Sequence, residues 1–366
     1  MCPSGLLLRA GGKNSCCLGG PNNADQRHLT FGEVPINKKV IPMILKKIKP
    51  TIVSVALSAL LLAPTAVVIA ADFPSAPIQV AVAYGPGGAT DFQARIATMM
   101  AGNEKYLNMP MVIFNKPGAG GQKGWNWYAS SASTDGHQLA AYNVPHFIAQ
   151  SLKFDTSYNI NNLEPIANWG ADPAVLIVPA DSPFNSAADV VAWSKANPGK
   201  LTVSGAGLYV GHHIASLQFD KVANISTKYI PAGGGVAAMK MVLGSQVMAG
   251  FNNLSDAYRQ GDRIKIIAVA DNQREETFLP DVPTFKEQGI DVDDSSVNFR
   301  GIMARKGTPP EVLDFLAERV HLMFQDGKVA GKMKSGGSPM RIMTRAEVKK
   351  MWVERQAYLD NLLADL

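Results

Sequence analysis

Cysteine is scarce in this chain, and its placement already excludes several classes of protein. Three cysteines occur among 366 residues, and all of them lie within the first 17 positions. From residue 18 onward the sequence therefore excludes a disulfide framework and a cysteine-ligated zinc site. The chain also lacks heptad arrays, low-complexity tracts and internal repeats of useful period, which excludes coiled coils and repeat arrays.

Neither sign of charge is in excess once the first 71 residues are set apart. The whole chain has 35 Lys and Arg against 30 Asp and Glu, but 8 of the basic and 2 of the acidic residues lie in residues 1–71. The remaining 295 residues carry 27 basic and 28 acidic side chains, a net charge of −1. A basic surface for nucleic acid is therefore not predicted. This length suits two domains better than one core.

The leader, residues 1–71, contains the pattern of a secretory signal. Three lysines between positions 46 and 49 form a basic start, and the uncharged stretch 51–71 ends in small residues that suit cleavage after Ala70 or Ala71. The alternative is a membrane anchor, because the stretch approaches the roughly 20 residues of a membrane span. Pro64 and the small residues after it favour cleavage.

We therefore assign residues 43–71 to a cleaved signal peptide and predict a periplasmic protein. A signal peptide normally begins at the N-terminus, which makes Met43 a plausible start. Residues 1–42 show no strand or helix pattern, and we interpret them as an upstream translation artefact or a disordered tail.

Two glycine-rich loops are the most informative feature of the remaining chain. Tyr84-Gly85-Pro86-Gly87-Gly88-Ala89-Thr90-Asp91 follows an apolar run at 78–84, and Ser204-Gly205-Ala206-Gly207-Leu208-Tyr209-Val210-Gly211-His212 follows a short run at 203–204. Each loop precedes a predicted helix, so backbone N–H groups and the helix dipole favour an anion there. If the loops face each other across a cleft, they form a clamp for a small carboxylate.

Strands and helices alternate along most of the chain. Apolar runs predict further strands at 111–114, 139–142, 175–178, 227–230, 247–251 and 264–270, with a helix at 186–196. This alternation predicts an α/β protein with parallel sheets covered on both faces. The C-terminal part is predicted to be helical, with capping boxes at Thr308-Pro309-Pro310-Glu311 and Thr344-Arg345-Ala346-Glu347.

The order of these loops and their surroundings resembles the substrate-binding proteins of tripartite tricarboxylate transporters, the Bug family of periplasmic solute receptors. Eight motifs occur in the family's order and span almost the whole chain after the leader. They are Phe73-Pro74-Ser75-Ala76-Pro77-Ile78, Pro86-Gly87-Gly88-Ala89-Thr90-Asp91 with Arg95, Asn115-Lys116-Pro117-Gly118-Ala119-Gly120-Gly121, Asp135-Gly136, Ala196-Asn197-Pro198-Gly199-Lys200-Leu201, Leu243-Gly244-Ser245-Gln246-Val247, Leu279-Pro280-Asp281-Val282-Pro283-Thr284 and Gly307-Thr308-Pro309.

The resemblance implies a two-lobed fold of the type II periplasmic-binding class, with crossing hinge strands and a ligand in the cleft between the lobes. It places the first lobe at residues 72–173 and 298–366, and the second lobe at residues 174–297. It implies a small organic carboxylate as ligand, inner-membrane permease subunits as partners, a monomer, and neither cofactor nor metal.

Departures from the family pattern concern the ligand. Leu208 stands where the family has Ser or Thr, and Pro231-Ala232-Gly233-Gly234-Gly235 lacks the usual tyrosine and lysine. The loss of two polar side chains predicts a cleft that is larger or that binds different chemical groups of a ligand.

Fourteen residues are candidates for ligand contact. In the first loop, backbone N–H groups would hold a carboxylate, while Asp91 would cap the helix or accept from a ligand hydroxyl or amine. In the second lobe, Ser204 would donate, and only one of the adjacent His212 and His213 can face a cleft. The candidates are Tyr84, Gly85, Pro86, Gly87, Gly88, Thr90, Asp91, Asn143, Ser204, Gly205, Gly207, Tyr209, His212 and Asn252.

Two other functions compete with a receptor that hands its ligand to a permease. One is a receptor for a sensor kinase, which the sequence does not separate from the first. The other is an exported hydrolase using Ser204 and His212, which is disfavoured because no G-x-S-x-G elbow occurs. The second loop has a GxG pattern without GxGxxG, so a dinucleotide site is weakly supported.

We predict that the exported protein begins near Ala71 or Asp72, because signal peptidase cuts after small residues. N-terminal sequencing of protein recovered from the periplasm tests this. Recovery of Met1 would contradict it and would return the three cysteines to the exported protein.

Overall fold

Two β-sheets organise the protein. The computed structural model describes residues 73–364, so the predicted signal peptide and all three cysteines lie outside the described residues. The strands are β1 (Ile78–Val82), β2 (Met111–Asn115), β3 (Gln138–Val144), β4 (Leu163–Asp172), β5 (Ala174–Pro179), β6 (Thr202–Gly205), β7 (Lys228–Pro231), β8 (Ala249–Asn253), β9 (Ile264–Ala270), β10 (Asn298–Arg305) and β11 (Met340–Met343).

Ten α-helices cover these sheets in the described part of the chain. They are α1 (Ala89–Ala97), α2 (Gln122–Ser131), α3 (His146–Lys153), α4 (Ala187–Ala196), α5 (Gly211–Ala223), α6 (Gly235–Leu243), α7 (Leu254–Tyr258), α8 (Pro310–Phe324), α9 (Gly327–Ser335) and α10 (Arg345–Ala364). Within residues 73–364, none of the helices has both the length and the apolar character of a membrane span.

The two sheets use different parts of the chain. The first has the strand order β11-β4-β10-β3-β1-β2, and the second has the order β7-β6-β8-β5-β9. In the first sheet β1 is parallel to β2 and β3, whereas β10 is antiparallel to β3 and β4. In the second sheet β6 is parallel to β7 and β8, whereas β5 is antiparallel to β8 and β9.

The α/β class is confirmed, but the prediction of parallel sheets is wrong because both sheets are mixed. Eight predicted strands lie at β1–β3 and β5–β9, while β4, β10 and β11 were not predicted. Polar residues interrupt the apolar pattern of two of these strands. β4 contains Asn168 and Asp172, and β10 contains Asn298 and Arg300. All four are buried, so these strands lack the apolar run by which a buried strand is recognised.

One predicted capping box forms and the other does not. At α10 the Thr344 N–H donates to Glu347 Oε2 at 2.8 Å, and the Glu347 N–H donates to Thr344 Oγ1 at 3.4 Å. At α8 the box is wrong, because the helix begins at Pro310 and its N-cap is Pro309, which has no side-chain acceptor. The Thr308 hydroxyl instead donates to a backbone carbonyl upstream.

Each sheet is buried on both faces. Along β10, Ile302 and Met303 point to opposite sides of the first sheet, as alternation along a strand requires. Ile302 belongs to a core that contains Trp169, and Met303 belongs to one that contains Trp125 and Trp352.

The chain passes between the sheets at a buried ion pair. It leaves β4 for β5 at Pro173, and it returns through residues 271–297 to β10. Next to these crossings Arg300 Nη1 lies 2.6 Å from Asp172 Oδ2, and both side chains are fully buried. Because both charges are buried away from water, loss of either side chain would leave the other as an unpaired buried charge.

We predict that Asp172→Ala lowers the free energy of unfolding by about 3–5 kcal/mol, because it leaves the buried Arg300 guanidinium unpaired. Urea unfolding measures this. Glu354→Ala is the control, since Glu354 forms an exposed helical pair with Lys350 at 3.6 Å that contributes about 0.5 kcal/mol or less. Equal losses in the two variants would contradict the importance assigned to the buried pair.

Candidate functional site

A cavity of about 270 Å³ lies beside strand ends from both sheets and the first residues of four helices. Its size suits a small molecule. The lining residues are Tyr84, Gly85, Pro86, Gly88, Ala89, Thr90, Pro117, His146, Ala206, His212, Gly233, Gly234, Gly235, Val236, Ala237, Lys240, Asn253, Asp256 and Asn298.

Helix N-termini dominate the wall of this cavity. Ala89, His146 and Gly235 are the first residues of α1, α3 and α6, and His212 is the second residue of α5. The first N–H groups of a helix have no partner within the helix, and the dipole adds partial positive charge. Four such termini around one cavity favour an anionic ligand.

Asp91 acts inside the first glycine loop. Its Oδ2 accepts from the Gly87 N–H at 2.9 Å, and its Oδ1 accepts from Arg95 at 2.9 Å and from Asn115 at 2.8 Å. Burial alone would raise the pKa of this carboxyl, but these hydrogen bonds outweigh burial and hold the pKa below its usual value. Asp91 therefore shapes the loop as an ionised acceptor.

His212 presents a free hydrogen-bonding nitrogen in a buried setting. The Ala206 N–H donates to its Nδ1 at 3.1 Å, while Nε2 has no partner among the described residues. Burial lowers the pKa of His212 to about 4 against a smaller opposing contribution from the Asn253 side chain, so the ring is neutral at pH 7. Because Nδ1 accepts, we infer that the proton is on Nε2, which makes this atom a donor.

His146 adds a second neutral ring to the wall. Burial, with smaller contributions from His212 and Arg300, holds the pKa of His146 well below its usual value. The Tyr84 ring packs edge-on against it, with ring centres 6.0 Å apart, and the Tyr84 hydroxyl donates to the Gly120 carbonyl at 2.9 Å. The cavity thus offers imidazole rings without adding positive charge.

Two side chains of opposite charge line the cavity. Lys240 is exposed on α6, whereas Asp256 on α7 is buried. Asp256 Oδ1 is paired with Arg259, and its Oδ2 accepts from the Ala89 N–H at 3.3 Å. Burial raises the pKa of Asp256, and the charge of Arg259 opposes this.

Amide side chains form the floor between the two sheets. Asn143 Nδ2 donates to Thr90 Oγ1 at 2.9 Å and to Asn298 Oδ1 at 3.0 Å. Asn253 Oδ1 accepts from Asn298 at 3.2 Å and from Arg300 at 2.8 Å. This network links β10 and β3 to the end of β8 beneath the cavity.

Six of the fourteen predicted site residues line this cavity: Tyr84, Gly85, Pro86, Gly88, Thr90 and His212. The structure places Gly87 at an adjoining hollow and Asn143 in the floor. The Asn252 side chain donates to the Gly235 carbonyl at 3.1 Å, so it supports the start of α6 from behind.

Most of the second glycine loop is engaged in its own packing. The Ser204 hydroxyl donates to a carbonyl of α6 at 3.1 Å, and Gly205 lies against the Tyr229 hydroxyl. Gly207 accepts from Tyr229 at 2.9 Å, and the Tyr209 ring packs on its neighbours. Of this loop and the start of α5, Ala206 and His212 reach the cavity.

No local sequence signal pointed to several of the lining residues, among them Val236, Lys240, Asp256 and Asn298. The first three follow predicted strands by several residues, and Asn298 begins a strand that was not predicted. In residues 73–364, no group of three or more His, Cys, Asp or Glu side chains is arranged to hold a metal ion.

Comparison with known proteins places the chain in a family. Residues 94–357 match the model of the tripartite tricarboxylate transporter family receptor. The chain belongs to this family. A UPF0065 protein of Cupriavidus necator, named for the gbd 5' region, is 32% identical over 248 residues, 67% of this chain and 73% of that protein.

Solved structures of receptors confirm the periplasmic-binding fold. The periplasmic binding protein BugD matches with a TM-score of 0.73 and 25% identity, covering 80% of this chain and 98% of that chain. MatC of Rhodopseudomonas palustris, solved with bound malate, matches with a TM-score of 0.71 and 22% identity, covering 79% and 99%.

We predict that acid destabilises the protein through its buried histidines. Burial also lowers the pKa of His213 to about 4, so between pH 6.5 and pH 5 the unfolded chain takes up a proton that the folded ring does not. Each such histidine costs about 1.5 kcal/mol of unfolding free energy across this window.

His213→Asn should reduce this pH dependence by about the same amount, measured by urea unfolding at each pH. Between about pH 8 and pH 9 the histidine is neutral in both the folded and the unfolded state, so the two proteins should show equal slopes there. Identical slopes below pH 6.5 would contradict the neutral state of His213.

Proposed function

We propose that this tripartite tricarboxylate transporter receptor captures a small carboxylate in the cavity and delivers it to inner-membrane permease subunits. The observation that carries the proposal is the buried His212 Nε2, without a hydrogen-bond partner, at a cavity that the first residues of four helices line. A carboxylate supplies acceptor oxygens both for the histidine N–H and for the backbone N–H groups at the helix N-termini.

The donors support tight binding of a small anion. A hydrogen bond to a charged group contributes about 1.5–3 kcal/mol, and a few of them reach the roughly −8 kcal/mol of a micromolar complex. Because both histidines that line the cavity are neutral, binding needs no proton uptake by the protein near pH 7.

We propose that the two sheets are the cores of two lobes, residues 72–173 with 298–366 and residues 174–297, which close over the ligand. Contacts between residues assigned to different lobes support this. Gln150 Nε2 donates to the Leu208 carbonyl at 3.1 Å, and the Ala89 N–H donates to Asp256. A ligand held by both lobes stabilises the closed form by its differential affinity.

The ligand would leave unaltered. A hydrolase would need Ser204 beside a histidine base, but the Ser204 hydroxyl donates to the Ala238 carbonyl and His212 Nδ1 accepts from the Ala206 N–H. Because Nδ1 accepts and Nε2 carries the proton, the neutral His212 ring has no free basic nitrogen to activate the Ser204 hydroxyl. This supports a receptor over an enzyme.

Export completes the proposal. We propose that residues 43–71 direct the chain to the periplasm and are removed there, in keeping with the periplasmic location of BugD. The receptor would act as a monomer, with the permease reading its closed form.

Calorimetry with malate, succinate and glutarate tests the carboxylate. At least one acid should bind, and its dimethyl ester should bind at least about tenfold more weakly, because charged acceptors form hydrogen bonds about twice as strong as neutral ones. Mass spectrometry should return the acid intact. Tight binding of the ester, or conversion of the acid, would contradict the proposal.

His212→Ala should weaken binding of the acid by about 1.5–3 kcal/mol, the contribution of one hydrogen bond to a charged group. His321→Ala is the matched control, because His321 on α8 lies outside the cavity and contacts Gln325. Thermal unfolding of both variants verifies that each is folded. Unchanged affinity in folded His212→Ala would remove this nitrogen from the site.

A further inference from the structure

We propose that Gln150 holds the two proposed lobes in the closed arrangement, and that it sets the affinity for every ligand without touching any of them. The inference rests on the proposed function, since it names the side chain that governs closure over the same cavity. It starts from one amide that is fully buried between segments of both proposed lobes and does not line the cavity.

The side-chain amide of Gln150 has a partner for each of its polar atoms. Nε2 donates to the Gly120 carbonyl and to the Leu208 carbonyl, each at 3.1 Å, and Oε1 accepts from the Tyr158 hydroxyl at 3.0 Å. Carbonyl oxygens only accept, so they fix the orientation of the amide. Leu208 lies in the second proposed lobe, and the other three residues lie in the first. We call the bridge from Gln150 to the Gly120 and Leu208 carbonyls the closure contact.

Apolar packing surrounds the closure contact. The Phe154 ring, from the first proposed lobe, packs edge-on against the Tyr209 ring of the second, with ring centres 5.3 Å apart. A Cβ on Gly120 would lie 3.5 Å from a methyl group of Val210. Gln150 is therefore kept from water, and a buried N–H group without an acceptor is costly. Opening of the lobes has to hydrate this amide or leave one of its N–H groups unpaired.

The closure contact is linked to the cavity through the Gly120 carbonyl. This oxygen also accepts from the Tyr84 hydroxyl at 2.9 Å, and Tyr84 lines the cavity with its ring edge-on to His146. A ligand packed against Tyr84 therefore steadies the acceptor that Gln150 uses. Because Gln150 itself lies outside the cavity, its contribution is the same for each ligand. It is a positioning residue that changes affinity and leaves selectivity as it is.

Gln150→Met removes both donors and keeps a side chain of similar length. The closed form loses the hydrogen bond to Leu208, and apparent affinity falls with the population of that form. We expect calorimetry with malate, succinate and glutarate to show about two- to tenfold weaker binding of each acid that binds, the effect of one neutral hydrogen bond. The ratios between the acids should stay the same. A change in these ratios would overturn the proposal, because it would show that Gln150 acts on the ligand.

Tyr158→Phe is the matched control. Both substitutions break the hydrogen bond between Tyr158 and Gln150, but only Gln150→Met removes the two donors. Tyr158→Phe should therefore retain the affinity of the unaltered protein, and thermal unfolding verifies that both variants are folded. Equal losses in the two variants, or no loss in folded Gln150→Met, would overturn the proposal.

Binding kinetics separate closure from a merely structural role. A ligand associates with the open form, in which the closure contact is absent. Stopped-flow measurements should therefore show that Gln150→Met leaves the association rate constant unchanged and raises the dissociation rate constant by the whole loss of affinity. A loss carried by the association rate constant would contradict a contact that forms after binding.

X-ray scattering tests the closure contact without a ligand. Separation of two lobes enlarges the radius of gyration, so ligand-free Gln150→Met should have a larger radius than the unaltered protein and than Tyr158→Phe. Equal radii in the three proteins would overturn the proposal.

Phe154→Leu provides a second variant that keeps the test decisive if Gln150→Met does not fold. Phe154 is half-buried and lies outside the cavity, and the substitution removes the ring contact with Tyr209 while keeping an apolar side chain. It should weaken the binding of all acids by a common factor of about two to ten and raise the dissociation rate constant. Unchanged affinity in folded Phe154→Leu would overturn closure at this junction.

The two levels of proposal fail in different ways. If the acids bind to Gln150→Met as tightly as to the unaltered protein, the closure contact is wrong while the carboxylate receptor stands. If no acid binds to folded unaltered protein and Gln150→Met still enlarges the radius of gyration, the closure contact stands while the proposed ligand fails.

Discussion

The ion pair between Arg300 and Asp172 is the constraint on which the site depends. A guanidinium group without access to water must have an acceptor for its donors. Arg300 finds them on Thr90 and Gln93 of α1, on Asp172 of β4 and on Asn253 of β8. One charge therefore fixes the relative positions of elements from both sheets, and two of its acceptors also line the cavity.

Neutral histidine side chains line the cavity beside this pair. The two histidines of the cavity wall are uncharged because burial disfavours their protonated forms. They provide polar atoms without the free-energy penalty of a buried positive charge. Helix termini contribute partial charge that is fixed by the backbone. Asp256 and Lys240 are the two side chains of opposite charge that line this cavity.

Sequence patterns predicted the fold class well because it rests on local signals. Apolar runs of β-branched residues marked eight strands, and glycine loops marked the starts of α1 and α5. The strands that carry Asp172 and Arg300 escaped prediction because their buried polar residues find partners only in the folded chain. No window of sequence can distinguish such a strand from an exposed segment.

Cavity residues were easier to predict in loops that offer backbone N–H groups than at positions that contribute a side chain. Most of the first glycine loop lines the cavity. In the second loop, the Ser204 hydroxyl donates to a carbonyl of α6 and does not face the cavity. In the sequence, Asp256 resembles any polar residue that follows a strand. Its position at the cavity is evident only from its contact with the start of α1 in the folded protein.

Gly120 and Gly207 meet where segments of the two proposed lobes approach each other. A Cβ on Gly207 would lie 3.0 Å from the Cα of Gly120, which is backbone and cannot turn aside. A single methyl group would act there as a wedge between the segments. If the lobes close as proposed, a substitution at Gly207 would change ligand affinity without altering any residue that lines the cavity.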